Sequence, residues 1–292
     1  MNLFTIFQRF PDQEACIEHL EAVRWGDEPH CPHCGSVSVA RKEDGGRMGR
    51  WNCHGCKASF NVLSGTIMQK TKLPLQKWFM AIGLMVNAKK SVSSYQLSRD
   101  LELNQKSAWF MQQRIRAAMA EDQAPMLQGI VEADETYVGG KPRKANKIED
   151  REPAKRGRGT DKTPIIGAVE RGGKVVARMA TDLSGKGILR FLKDTIEPNG
   201  TLLITDEYRA YAAAARSGFA HAVINHSVAY ADGDTHTNTI EGFWSLVKRA
   251  WYGSHHHYSH HWTPLFVAEA SWKYNNRKND NPFGTFLRRV FK

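Results

Sequence analysis

Residues 129–140 read GIVEADETYVGG and residues 201–208 read TLLITDEY. Each is a short apolar run, rich in β-branched residues, that brings an aspartate, Asp134 or Asp206, to its end before a turn. Between them lie two more such runs, TPIIGAVER (163–171) and KVVARMATDL (174–183). Apolar residues then return at helical spacing near 185–196, 207–216, 237–251 and 263–276. Strands followed by helices predict an α/β or α+β domain over residues 125–292, with both aspartates at strand ends.

Upstream the pattern changes. Residues 11–25 fit a short amphipathic helix that Asp12 caps, with Cys16, Leu20 and Val23 on one face. Cys16 is therefore read as a core residue. The other four of the five cysteines form two pairs, Cys31-Pro-His-Cys34 and Cys53-His-Gly-Cys56, with 18 residues between them. That spacing fits a four-thiolate zinc site, whose closed coordination makes the metal structural. Trp51 and Phe60 would give this small module its apolar platform. A redox CxxC is the weaker alternative, because the pairs are two and stand at ribbon spacing.

The chain has 292 residues, 41% of them hydrophobic, which excludes wholesale disorder. Its formal charge of +11 favours a polyanionic partner, nucleic acid before an anionic membrane surface. The most apolar run, Trp78 to Val86, is far short of the ~20 residues a spanning helix needs. No secretory signal is read in MNLFTIFQRFPDQE, so a cytoplasmic location is expected.

Residues 74–119 read as helical, and SVSSYQLSRDLELNQKSAWFMQQRIRAAM within them as helix, turn, helix. Ser93 or Ser94 caps the first helix, and Tyr95, Leu97 and Leu101 supply its apolar face. The second helix offers Gln105, Lys106, Ser107, Gln112, Gln113, Arg114 and Arg116 to a DNA groove, with Trp109, Phe110 and Ile115 for packing. Three segments result: helix and ribbon over 1–70, a helix-turn-helix-like DNA-binding segment over 71–124, and the α/β domain over 125–292. An insertion at 140–163 carries nine Lys/Arg and four Asp/Glu and is too polar to pack. Its Lys141, Arg143, Lys144, Lys155, Arg156 and Arg158 are candidate DNA-backbone contacts. The five histidines at 255, 256, 257, 260 and 261 lack the spacing of a metal site and are read as a loop.

A third carboxylate, Glu241, lies in HTNTIEGFWSLVKR (236–249), an amphipathic helix. Thirty-four residues separate it from Asp206, and Lys248 follows two helical turns later on the same face. Asp, Asp, 34 residues, Glu resembles the DDE signature of transposases and retroviral integrases. The CPxCGS ribbon, AWFMQQRIR, ADETYVGG, TDEY and HTNTIEGFWSLVKR together resemble the ISXO-two-like insertion-sequence transposases over nearly the whole chain.

The resemblance implies a ribonuclease H-like mixed sheet flanked by helices. It also implies a DNA transposase that binds terminal inverted repeats, cleaves a strand and joins the freed 3′-OH to target DNA. Asp134, Asp206 and Glu241 would hold Mg²⁺ or Mn²⁺, with Asn238 as a supporting hydrogen-bonding residue and Lys248 on a phosphate. Arg249 would also contact DNA. Glu132, Glu135, Glu207, Asp232 and Asp234 are reserve acids, Glu132 the best because it shares strand parity with Asp134; Glu269 ranks lower. DNA and a second copy of the chain are the expected partners, at least a homodimer on DNA, with no membrane. A non-catalytic DNA-binding regulator and a stand-alone ribonuclease H-like nuclease are the alternatives.

Overall fold

The structure, a computed structural model, describes residues 1–43, 49–122, 125–140, 162–224 and 235–291. Contacts divide it into two compact units, Met1–Met119 with Lys278–Lys292, and Ala120–Arg277. Among the described residues no helix is long and apolar enough to cross a membrane.

The first unit opens with α1 (Leu3–Arg9) and α2 (Gln13–Trp25). Asp12 caps α2 by accepting from the Ala15 N–H at 2.9 Å, and Cys16 and Leu20 are fully buried, as the spacing requires. Strands β1 (Val39–Arg41), β2 (Arg50–Cys53) and β3 (Ser59–Asn61) form an antiparallel ribbon. Trp25 meets Trp51 and Phe60 edge-on at 5.8 and 5.9 Å, so the platform expected from sequence is completed from α2. Helix α3 (Leu75–Asn87) is buried along most of its length. Its Phe79 packs edge-on against Phe10 at 4.8 Å and against Phe283 at 5.6 Å. Phe283 belongs to the last helix, which closes this unit although it lies at the far end of the chain.

Helices α4 (Ser94–Asp100) and α5 (Gln105–Ala120) realise the helix, turn, helix. Ser93 caps α4, and Asn104 Oδ1 accepts from the Ser107 N–H at 2.7 Å to start α5. The inward face of α5 differs from expectation. Ala108, Gln112 and Arg116 follow at i, i+4, i+8 and share one buried ridge. Gln112 donates to the Val92 carbonyl at 2.9 Å and Arg116 reaches Ser91 Oγ at 3.5 Å. Arg116, Gln112 and Gln113 are thus interior residues and cannot face a DNA groove. Arg114 is also committed, donating to the Ile67 and Gln69 carbonyls at 2.6 and 3.1 Å while lying over Phe110. Lys106 is exposed, and so are Tyr95 and Phe110, which sequence reading had placed in the packed face.

The second unit is built on β4 (Ile130–Val138), β5 (Thr163–Glu170), β6 (Val175–Met179), β7 (Leu202–Asp206) and β8 (Ala220–Ile224). Helix α6 (Gly185–Thr195) precedes β7, and the short α7 (Ala212–Ala215) precedes β8. Three helices close the chain: α8 (Asn238–Ala250), α9 (Thr263–Asn275) and α10 (Pro282–Val290), the last in the first unit. The sheet order is β6-β5-β4-β7-β8, with β4, β5 and β6 antiparallel and β4, β7 and β8 parallel. This is the mixed, helix-flanked sheet that the resemblance implied.

Alternation along β4 divides the core. Val131 and Ala133 face a cluster with Ile188, Leu192 and Tyr211 on one side. Val138 faces Ile240, Phe243, Trp244 and Val247 of α8 on the other. Asn275 pins α9 to the sheet edge, accepting from the Val175 N–H at 2.7 Å and donating to its carbonyl at 3.0 Å.

Gly167, paired with Asp134 across the β4–β5 ladder, makes room for α8. A Cβ there would stand 2.6 Å from Trp244 Cη2. Gly167→Ala should therefore displace the indole and cost about 1–3 kcal/mol by overpacking, read as a lower thermal midpoint. Trp244→Phe in the same background should recover part of that loss; strictly additive effects of the two changes would contradict the contact.

Candidate functional site

Two clusters of ionisable side chains stand out. The first is in the ribbon, where the sulfurs of Cys31, Cys34, Cys53 and Cys56 all lie within 4.8 Å of one another. Cys31 Sγ is 3.7 Å from Cys56 Sγ and Cys34 Sγ is 3.6 Å from Cys53 Sγ. Four sulfurs at ~2.3 Å from a tetrahedral ion stand about 3.8 Å apart, so the knuckles have the spacing that zinc needs. The Cys56 N–H points at Cys53 Sγ from 3.4 Å, and such backbone donors bring that thiol down to about 6, towards the thiolate a metal binds. The set fits a structural zinc.

The second cluster lines a cleft of ≈ 560 Å³ in the sheet unit. Asp134, Glu135 and Thr136 of β4 and Asp206 of β7 form one wall, and Thr237, Glu241, Trp244, Ser245, Lys248, Arg249 and Tyr252 form the other. Topology explains the meeting. The parallel pairing of β4 with β7 runs to Glu132 opposite Ile204, and two residues further on each strand stand Asp134 and Asp206. On α8, Glu241, Ser245 and Lys248 repeat at helical spacing on the face opposite the buried Ile240, Phe243 and Val247. Asp134, Asp206, Glu241, Lys248 and Arg249 are therefore brought to one cleft. Their carboxylate oxygens do not converge as the four sulfurs do, the sulfurs being the one such group among the described residues.

Asp134 is the unusual group. Trp244 Nε1 donates to its Oδ2 at 3.0 Å. Burial first, then the neighbouring carboxylates Glu135 and Asp206, push it up to about 7. Around it the other acids also take specific donors. The Tyr208 N–H donates to Asp206 Oδ1 at 3.0 Å, and the Tyr211 hydroxyl to Glu135 Oε2 at 3.1 Å. Burial and the facing acids raise the Tyr211 phenol well above its ordinary range, which keeps it a neutral donor. Thr237 Oγ1 donates to Glu241 Oε1 at 3.0 Å.

Several sequence expectations are revised. Asn238, expected as a supporting hydrogen-bonding residue of the site, opens α8 exposed and away from the cleft lining, and it is Thr237 that hydrogen-bonds Glu241. Glu132 is fully buried and takes donors from Arg171, Thr239 and Ile240, so it is no spare metal ligand. Glu207 is exposed outside the lining, and Glu269 pairs with Lys273 at 2.6 Å within α9. Of the histidine run, His255 packs against Tyr258 and Phe266. Asp232, Asp234 and the insertion residues Lys141, Arg143, Lys144, Lys155, Arg156 and Arg158 lie outside the described residues. Thr237, Trp244 and Tyr211 went unread as site residues, since a lone Thr, Trp or Tyr in an element carries no spacing signal.

Asp206 ends β7, whereas Asp134, expected at a strand end, lies in the middle of β4, which runs on to Val138. The four-cysteine ribbon and the acidic cleft fit the transposase resemblance of the sequence. Comparison with known families agrees: the ISXO2-like transposase domain matches residues 126–275, and the transposase zinc-ribbon domain matches residues 11–59. The chain belongs to the ISXO2-like transposase family and is an insertion-sequence transposase. An uncharacterized protein in transposable element ISH50 of Halobacterium salinarum is 29% identical over 254 residues, 84% of this chain and 85% of that protein. An uncharacterized transposase-like protein of Haemophilus influenzae is 27% identical over 35% of this chain and 82% of its own length. Among solved structures, the Mos1 strand transfer complex covers 73% of this chain and 74% of its own, at 13% identity and a TM-score of 0.31, too slight a likeness to decide anything.

The raised Asp134 carboxyl has a consequence for stability. Its proton is held more tightly in the fold than in the unfolded chain, so stability is lost as pH climbs from the ordinary 3.8 to about 7 and changes little from this group above that. Without divalent cation, the thermal midpoint should fall between about pH 4 and pH 7 and level off above that. Asp134→Asn should remove most of that fall and stabilise the chain at pH 8 by roughly 1–3 kcal/mol. An equal fall in the variant would show that Asp134 is not its source.

Proposed function

We propose that this cleft is the active site of a DDE transposase, with Asp134, Asp206 and Glu241 holding Mg²⁺ or Mn²⁺. The observation that carries the reading is Asp134, a buried carboxyl beside two others with little protein charge to balance it. Crowded carboxylates are hard oxygen donors and suit a hard divalent cation. When bound, such ions help activate an oxygen nucleophile and stabilise the departing 3′ oxygen of a phosphodiester.

The chain's own groups orient the reactants. Trp244 holds one oxygen of Asp134 and Thr237 one oxygen of Glu241, and both acids line the cleft. Lys248 and Arg249 on the opposite wall give cationic contacts for phosphates on either side of the scissile bond. Two reactions follow from one site. Water attacks the phosphorus at the element end and the 3′ oxygen leaves, freeing a 3′-OH. That hydroxyl then attacks a target phosphorus, so one phosphodiester forms as another breaks and no outside energy source is needed.

DNA, as element ends and as target, is the partner, and synapsis of two ends calls for at least a homodimer. The work is accordingly cytoplasmic. The ribbon with its zinc and the α4–α5 segment with its exposed Lys106 form the end-reading part of the chain. The basic insertion, with Lys141, Arg143, Lys144, Lys155, Arg156 and Arg158, adds backbone contacts.

Purified chain, Mg²⁺ and a duplex carrying the element end test this. Asp134→Asn, Asp206→Asn and Glu241→Gln should each abolish cleavage while end binding survives. Lys248→Ala should slow cleavage roughly 10²-fold. Persistent cleavage in any of the three acid variants would overturn the assignment.

A further inference from the structure

Helix α8 lacks a side-chain cap of its own: Thr237 occupies the N-cap position without accepting from the first turn. An uncapped helix start leaves N–H groups unsatisfied, those of the second and third residues being the usual targets of a capping oxygen. Here they belong to Thr239 and Ile240. Both donate to Glu132 Oε2, at 2.8 and 3.0 Å, from a carboxylate more than 100 residues earlier in the chain. Glu132 Oε1 accepts from Thr239 Oγ1 at 2.8 Å and from Arg171 Nε at 2.7 Å. Arg171 continues to the His236 carbonyl at 2.9 Å and its Nδ1 at 3.0 Å, fastening the residues that enter the helix. Glu132 itself is wholly buried.

This cap comes from the strand that carries Asp134, two residues on and on the same face. The helix residue directly after the capped pair is Glu241. The distance between Asp134 and Glu241 is therefore set by one stretch of β4, through a carboxylate that reaches neither the cleft nor its ligands. Capping from β4 also frees the Thr237 hydroxyl, which is spent on Glu241 Oε1 at 3.0 Å instead of on its own helix.

We propose that Glu132 is a positioning residue that sets Glu241 against Asp134 by capping α8 from β4, with Arg171 as its counter-charge. Its relevance to catalysis rests on the active-site reading above, but the cap itself does not. Removing Glu132 would let the first turn of α8 fray and Glu241 drift, so the site would bind its cation more weakly without losing a ligand. Partners that orient metal ligands behave this way, their loss costing about 10–100-fold in affinity.

The test uses the zinc-loaded full chain in three measurements: backbone amide exchange, Mn²⁺ binding followed by electron paramagnetic resonance without DNA, and Mg²⁺ dependence of end cleavage. In Glu132→Gln, exchange at Thr239 and Ile240 should quicken at least about tenfold while β5 amides keep their protection. Mn²⁺ affinity should fall about tenfold or more, and the Mg²⁺ needed for half-maximal cleavage should rise by a similar factor, with activity recovered at high Mg²⁺. Thr239→Val, which removes one bond to Glu132 and leaves the carboxylate its other donors, should shift the same quantities in the same direction by less. It serves if Glu132→Gln does not fold. Wild-type Mn²⁺ affinity in the folded variants, or unchanged exchange at the two amides, would overturn the proposal and show a merely structural ion pair. Should Asp134→Asn keep cleaving DNA, the active-site reading would fail, and the exchange data would still judge the cap.

Discussion

A carboxylate taken out of water needs either donors or a cation, and β4 places two of them two residues apart on one face of the sheet. Glu132 is answered by the protein, through the Thr239 hydroxyl, two helix amides and the Arg171 guanidinium. Asp134 is answered only in part, by the Trp244 indole and a backbone N–H, while Glu135 and Asp206 press on it. The contrast separates an acid satisfied by the protein from one left short of donors, although their strand setting is the same. It also explains why α8 must lie where it does: the helix satisfies the first acid with its amides and the second with its tryptophan, and presents Glu241 between these two contacts.

Other features serve the same arrangement. Gly167 opposite Asp134 allows the indole to lie on the sheet, which a methyl group would prevent. Parallel pairing of β7 with β4 brings Asp206 level with Asp134, and Tyr211 from the opposite face restrains Glu135. In the other unit the ribbon solves a comparable problem with thiols, four sulfurs grouped tightly enough for one ion.

The parts legible in the sequence were those with a local period. Short β-branched runs bounded by turn residues marked β4 and β7, helical spacing marked α2, α5 and α8, and paired CxxC spacing marked the ribbon. Asp134, Asp206, Glu241 and Lys248 were legible through their spacing, which resembles the DDE signature, and through the two-turn helical offset of Lys248. The expected strand end holds for Asp206 but not for Asp134, which lies in mid-β4. What escaped notice depends on contacts between distant segments. That Glu132 caps α8 requires knowing that residue 239 lies beside residue 132, which no local pattern contains. Arg116 looked like a surface cation because Arg usually is one, yet the ridge from Ala108 through Gln112 turns it inward. Asn238 and Thr237 sit side by side, and only the rotation of the first helical turn decides which meets Glu241. Helix α10 went unread although its Phe283, Phe286, Leu287 and Val290 fall at helical spacing, and strand β8 is too short to show a period.

The central claim is that Asp134 contributes an oxygen ligand to a divalent cation at the reacting phosphate. Replacing that oxygen by sulfur tests it most directly, since thiolate suits Mn²⁺ far better than Mg²⁺. Strand cleavage by Asp134→Cys should be lost in Mg²⁺ and return in Mn²⁺, while wild type works with both. Equal activity of the cysteine variant in the two metals, or none in either with the fold and end binding intact, would contradict the account.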